Sequence, residues 1–147
     1  MKFNVHGKTL QQQLAAVSKV VNAKNALSIL DNFLLDVRDD TLFITGSDQE
    51  TVMTAKMEIS NQGADGKIAI NAKRLMEVVK EVSNFPLTFE IDENTGTVDL
   101  VFPGGHFAFM GVNAAEYPQN FETDELAVEM SISKCKDNAF FFEKKEL

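Results

Sequence analysis

The sequence predicts an α+β domain: two amphipathic helices set among short antiparallel strands. Three observations point there. Apolar residues alternate with polar ones over several runs of five to nine residues, which is the half-buried strand pattern. Most of those runs are joined by turns of only a few residues, too short for the crossovers a parallel sheet requires. Only two stretches carry apolar residues at helical spacing.

Taken in order, residues 2–5 read as a strand. From Thr9 the period changes, with Leu10, Leu14, Val17 and Val21 on one stripe and Lys8, Gln12 and Lys19 opposite. This helix is expected to fade between Asn22 and Asn25. Residues 29–37 form a nearly continuous apolar strand interrupted by Asp31 and Asn32. Arg38-Asp39-Asp40 turns it into the strand 41–45, and Gly46-Ser47-Asp48 is read as the next turn. The strand 51–59 alternates, and Ala64-Asp65-Gly66 turns into 67–70. A second helix is expected over 72–82, capped by Asn71, with Leu75, Val78, Val79 and Val82 inward and Lys73, Glu77 and Lys80 outward. Asn84 and Pro86 end it. Strands follow at 87–91, 97–102 and 106–110. Residues 124–133 fit one more strand, whereas 134–147, charged around Phe140-Phe141-Phe142, has no evident place in a core.

Composition limits the function. No apolar run is long enough for a transmembrane helix, and no apolar segment backs the first lysine as in a signal peptide. Cys135 is the single cysteine, so no internal disulfide can form, and a cytoplasmic location is expected. The net charge of −8 argues against broad contact with nucleic acid. Its distribution is uneven, however. Residues 1–30 hold Lys2, Lys8, Lys19 and Lys24 with no acidic side chain, so the remainder carries −12 against +4 here.

No catalytic constellation is evident, and neither a cofactor nor a metal is expected. His6 and His106 have no partner at metal-ligand spacing, and ordinary strand-edge histidines account for them. Cys135 has no histidine beside it and reads as a structural thiol. Gly63-Ala64-Asp65-Gly66-Lys67 lacks the full phosphate loop and is a turn. Asp92-Glu93-Asn94 lacks the later glutamate of a calcium loop. Asp39-Asp40 fits a solvated hairpin tip. What remains is two helices with lysines opposite their apolar stripes. A solvated surface explains such faces; so does weak, sequence-independent attraction to phosphates, which needs only flexible cations.

Specific segments carry a family resemblance: Met1-Lys2-Phe3; Lys24 through Leu35, containing Leu27-Ser28-Ile29-Leu30-Asp31-Asn32; Thr41 through Asp48, containing Thr45-Gly46-Ser47-Asp48; Asn71-Ala72-Lys73-Arg74-Leu75; and Glu116-Tyr117-Pro118. In this order and separation they resemble the first domain of the bacterial DNA polymerase III beta subunit, the sliding clamp, over roughly 1–122. The resemblance implies a non-catalytic DNA-replication processivity factor whose α+β domains, three per protomer, join head to tail in a ring. Helices line its hole around double-stranded DNA, and sheets form the wall. It implies DNA contact by Lys24 and Lys73; helix geometry adds Lys80, Lys19 and Gln12. It implies a protomer interface near Arg74, Val78, Val82, Phe107 and Phe109, although the apolar stripe gives Val78 and Val82 to the core. In the family, DNA polymerase III and the clamp loader bind through the second and third domains, which find no match here. Residues 123–147 are accordingly expected to be the start of a second clamp domain or a non-native tail, and the chain to be truncated. Two other readings stand beside this one: a fragment without independent function, and a small-ligand-binding α+β domain motivated by 12 Phe and 6 Met.

Overall fold

The computed structural model describes residues 1–21, 28–48, 51–117 and 140–145. Among the described residues, ten strands form two five-stranded antiparallel sheets. The first has the order β5 (Ser60–Asn61), β1 (Lys2–His6), β7 (Pro86–Asp92), β8 (Thr97–Phe102), β9 (Gly105–Met110). The second has the order β10 (Phe140–Lys145), β4 (Thr51–Glu58), β3 (Thr41–Ser47), β2 (Asn32–Arg38), β6 (Gly66–Asn71). Helices α1 (Gly7–Val17) and α2 (Ala72–Glu81) pack on each other; α1 lies against β3 and β4, and α2 against β2 and β6. The predicted α+β class is the observed one.

The main core is shared by the inner faces of both sheets and the two helical stripes. Leu10, Leu14 and Val17 come from α1 and Leu75, Val78 and Val79 from α2. Full burial of such aliphatic side chains stabilises by roughly 1.5–3 kcal/mol each. Phe3 and Phe89, directly opposite in the β1–β7 register, stack with centroids 5.0 Å apart. Strand β2 is buried on both faces, which explains its unbroken apolar run. Phe33, Leu35 and Val37 enter the main core, while Leu34 joins Leu30, Ala69, Ala114 and Tyr117 in a smaller cluster.

Several boundaries differ from the sequence reading. Helix α1 begins at Gly7 rather than Thr9, where the Gly7 amide donates to the Phe85 carbonyl at 3.1 Å. Strand β2 begins at Asn32, because residues 28–31 form a 3-10 turn that Asn32 closes by donating from Nδ2 to the Ile29 carbonyl. Gly46 is not a turn glycine: β3 runs through Ser47, and the turn starts at Asp48, whose Oδ1 accepts from the Thr51 amide at 2.7 Å. The two-residue β5 is too short to leave an alternating pattern in the sequence. The turn after β8 is as expected, with Gly104 at a φ of 110° that its residue type tolerates.

The expected strand at 124–133 and the fading of α1 at 22–25 lie outside the described residues. The tail segment that had no evident place is a strand: β10 pairs antiparallel with β4 from Phe140↔Lys56 to Lys145↔Thr51. An edge strand of this kind needs only a partner edge for its backbone, so no sequence-local core pattern announces it.

Candidate nucleic-acid interface

Helix α2 is positioned by its cap and its stripe. Asn71 Oδ1 accepts from the Arg74 amide at 2.9 Å, satisfying one of the free donors of the first turn as the sequence predicts. Leu75 and Val79 are fully buried beneath it. Those anchors fix the opposite face, where Lys73, Arg74, Glu77, Lys80 and Glu81 are exposed. Lys80 lies in the last turn, where a cation also complements the negative end of the helix dipole.

Helix α1 does the same with Leu10, Leu14 and Val17. Lys8 and Gln12 are exposed on it, and Lys19 is exposed in the 3-10 turn Ser18–Val20 that continues it. The two helices meet along a groove. One part, about 260 Å³, has Leu14, Ala15, Met76 and Val79 along it with Gln11, Lys73, Glu77 and Lys80. The adjoining part, about 380 Å³, includes Ser18, Asp31, Asn71 and again Lys73 and Met76.

The groove brings together two of the five sequence-derived DNA contacts, Lys73 and Lys80. Gln12 and Lys19 are exposed but do not line it; the neighbouring Gln11 does, a residue that the helix face alone does not single out. Lys24 lies outside the described residues. Among the described residues, Lys8, Lys19, Lys73 and Lys80 form no ion pair. Their charges are therefore not consumed internally. Asp31 and Glu77 in the same walls temper the potential, so the face offers mild attraction to an anionic polymer and no base-reading fork.

The candidate interface residues divide. Val78 and Val82 are 8% and 4% exposed and sit in the core, so they present no surface to a partner. Arg74 reaches from α2 to the edge of the other sheet, its guanidinium 5.6 Å from the Phe109 ring centroid. Phe107 stacks on Phe102 at 5.5 Å, and Phe102 on Phe85 at 6.2 Å. Phe107 and Phe109 are half-buried on β9, the last strand of its sheet.

Elsewhere the surface offers little chemistry. Among the described residues no three His, Cys, Asp or Glu side chains gather as a metal site, and no helix is long and apolar enough to cross a membrane. His106 Nδ1 lies 2.8 Å from Asp99 Oδ1 on the neighbouring strand. Asp39, Asp40, Asn61 and Asp65 tie the β2–β3 tip to the β5–β6 loop by hydrogen bonds. Clefts of about 550 and 580 Å³ are open to solvent and carry many polar groups, unlike the enclosed apolar cavity a small-ligand carrier would need.

Comparison with known proteins agrees with this architecture. The beta sliding clamp of Pseudomonas aeruginosa is 30% identical over 138 residues, covering 92% of this chain and 36% of that protein. That of Salmonella typhimurium is 31% identical over 137 residues, again covering 92% and 36%. The chain thus spans about a third, and for some relatives only 26%, of the length of the curated proteins it matches. The crystal structure of the DNA polymerase III subunit beta from P. aeruginosa superposes with a TM-score of 0.73 at 24% identity, over 80% of this chain and 31% of that one. The DNA polymerase sliding clamp from Caulobacter crescentus gives 0.74 at 21%, over 80% and 32%. Residues 1–122 match the family described as DNA polymerase III beta subunit, N-terminal domain, and the chain belongs to that family.

Proposed function

We propose that this chain serves as a domain of a DNA sliding clamp, a non-catalytic processivity module that lays its two helices against duplex DNA and meets neighbouring clamp domains through its sheet edges. The family match over 1–122 carries the reading. The exposed lysines on the helix side, without an ion pair among the described residues, support it, since the family resemblance has the helices line the hole around DNA. Lys73 and Lys80, in the groove, and Lys19 and Gln12, beside it, would meet phosphates; Lys24 joins them by the family resemblance. Mild attraction suits the task. A ring retains DNA by topology, and weak contacts let it slide.

In this reading residues 1–122 are the clamp domain proper, and 123–147 are the start of a second clamp domain or a non-native tail, of which 140–145 pair with β4 of the first. Arg74, Phe107 and Phe109 would meet the adjoining protomer, and the replicative polymerase and clamp loader would be reached through other domains of the ring. The setting is the cytoplasm. Fluorescence anisotropy with a labelled duplex, across a salt series, tests the site. Binding is expected to be weak, independent of base sequence and lost as salt rises. Affinity unchanged by Lys24→Ala plus Lys73→Ala would remove the helix face from the DNA contact.

A further inference from the structure

The outer edge of β4 is closed by the chain itself. Strand β4, Thr51–Glu58, is the longest among the described residues and pairs with β3 over seven consecutive positions without a bulge. It contains no proline. An open strand of this kind is a template for another chain, and natural sheets shorten, charge or cover such edges. This fold shortens β5 to two residues. It covers β6 with Val112, whose amide donates to the Ala69 carbonyl at 2.8 Å while its carbonyl accepts from the Ala69 amide at 3.1 Å. On β4 the cover is β10, antiparallel over six positions from Phe140↔Lys56 to Lys145↔Thr51.

Two contacts at the ends of β4 settle which of its residues face this cover. The Ile59 amide donates to the Asp40 carbonyl at 3.0 Å, and the Asp48 amide to the Thr51 carbonyl at 3.2 Å, so residues 51 and 59 direct their backbone groups toward β3. Along an antiparallel strand these directions alternate. Met53, Ala55 and Met57 therefore bond to β3. Val52, Thr54 and Lys56 face β10, opposite Lys144, Phe142 and Phe140. Each of these three pairs exchanges two backbone hydrogen bonds.

From this geometry we infer that β10 is an intramolecular cap, which holds the β4 edge against extended segments of other chains and leaves it able to take up a strand of the same kind once β10 is dislodged. Reach permits the contact within one molecule. Residues 118–139, between Tyr117 and Phe140, are twenty-two in number, a maximum span of about 70 Å against about 30 Å across a small domain. A tether of this order gives an effective concentration in the mM range, so a strand from another molecule at µM concentration competes at roughly a thousandfold disadvantage. Composition suits both halves of the task. Phe140-Phe141-Phe142 is a run of strand-forming residues. The strand that becomes the new edge also carries Glu143, Lys144 and Lys145 in its sequence, and charge on an edge resists further pairing. DNA contact uses the helix face instead, so failure of DNA binding leaves the cap standing.

Amide hydrogen exchange, followed by nuclear magnetic resonance on the full 147-residue chain, tests it. The amides of Val52, Thr54 and Lys56 are expected to exchange at least about a hundredfold more slowly than in an unstructured peptide, and equally at about 20 and about 500 µM, as a cap within one molecule requires. Phe142→Pro removes the donor opposite Thr54 and is expected to release these three amides while Met53, Ala55 and Met57 stay protected by β3. Phe141→Pro, at a position whose amide faces away from β4, is expected to keep the cap. A fluorescein-labelled peptide of residues 140–147 should bind the Phe142→Pro chain and bind the intact chain at least tenfold more weakly. Unprotected amides at 52, 54 and 56 in the intact chain, protection indifferent to Phe142→Pro, protection that fades on dilution because β10 comes from a second copy, or a peptide that treats the two chains alike would each overturn the cap.

Discussion

Gly46 lies directly beneath Val17: a Cβ built on Gly46 would sit 2.8 Å from Val17 Cγ1 and 3.2 Å from the Val17 carbonyl oxygen. The end of α1 thus rests on the backbone of β3, and the close approach is possible because the strand has no side chain there. Gly46→Ala is expected to destabilise by about 1–3 kcal/mol, the usual cost of overpacking. For a chain of this length each kcal/mol lowers Tm by roughly 2–4 °C. Adding Val17→Ala removes the tightest of these contacts, though Val21 Cγ2 at 3.1 Å and the Val17 carbonyl stay, so the double variant should lose less than the sum of the singles, measured by denaturant melts.

That glycine also marks a limit of what the sequence discloses. A glycine after a strand, followed by Ser47-Asp48, has the same local signature as a turn, and only the helix arriving from residues 7–17 distinguishes the two. Helix α2 is legible almost to its ends because its cap and stripe are local. Helix α1 is partly legible: Gln13 is buried beside Leu10 and Leu14, and a polar residue gives no sign of that. For the candidate interface, Lys73 and Lys80 follow from helical spacing. The choice of Gln11 over Gln12 as groove lining depends on how α1 meets α2, which no single helix encodes. The place of β9 at the edge of its sheet is likewise hidden, since an edge exists only once the sheet order is known.

Asn71→Ala tests the cap. Losing the acceptor for the Arg74 amide should cost about 1 kcal/mol, within the roughly 0.5–2 kcal/mol spread of such substitutions. Asn71→Asp should match or exceed wild-type stability, because α2 has no acidic residue in its first turn and an anion there meets the positive end of the helix. Urea unfolding of the three proteins separates these outcomes, and an alanine variant as stable as the parent would show that solvent replaces the cap at no cost.

Tyr117 gives a pH dependence whose sign can be worked out. Burial pushes its hydroxyl above the ordinary tyrosine range, because the phenolate is poorly solvated there. The folded protein therefore holds a proton that the unfolded chain releases near pH ~10. Above that value the unfolded state binds fewer protons, so stability falls as pH rises. Tyr117→Phe should flatten this alkaline decline while changing stability at neutral pH by no more than about 1 kcal/mol, since the hydroxyl has no hydrogen-bond partner among the described residues. Thermal melts from neutral pH to about 11 read both effects; parallel declines in the two proteins would assign the pH dependence to other groups.

The groove lysines make a quantitative prediction about salt. Duplex DNA condenses counterions, and each phosphate neutralised by a side chain releases them with a slope of about 0.9 in log affinity against log salt. If Lys73 and Lys80 each meet one phosphate, Lys73→Ala plus Lys80→Ala should lower the magnitude of that slope by roughly 1.8. Glu77, between them in the same groove wall, works the other way, and Glu77→Gln should tighten binding at low salt without altering sequence preference. The three exposed side chains contribute nothing to the core, so circular dichroism and Tm should hold steady. A slope unchanged in the double variant, with overall affinity also unchanged, would move the duplex off this groove and onto some other face of the domain.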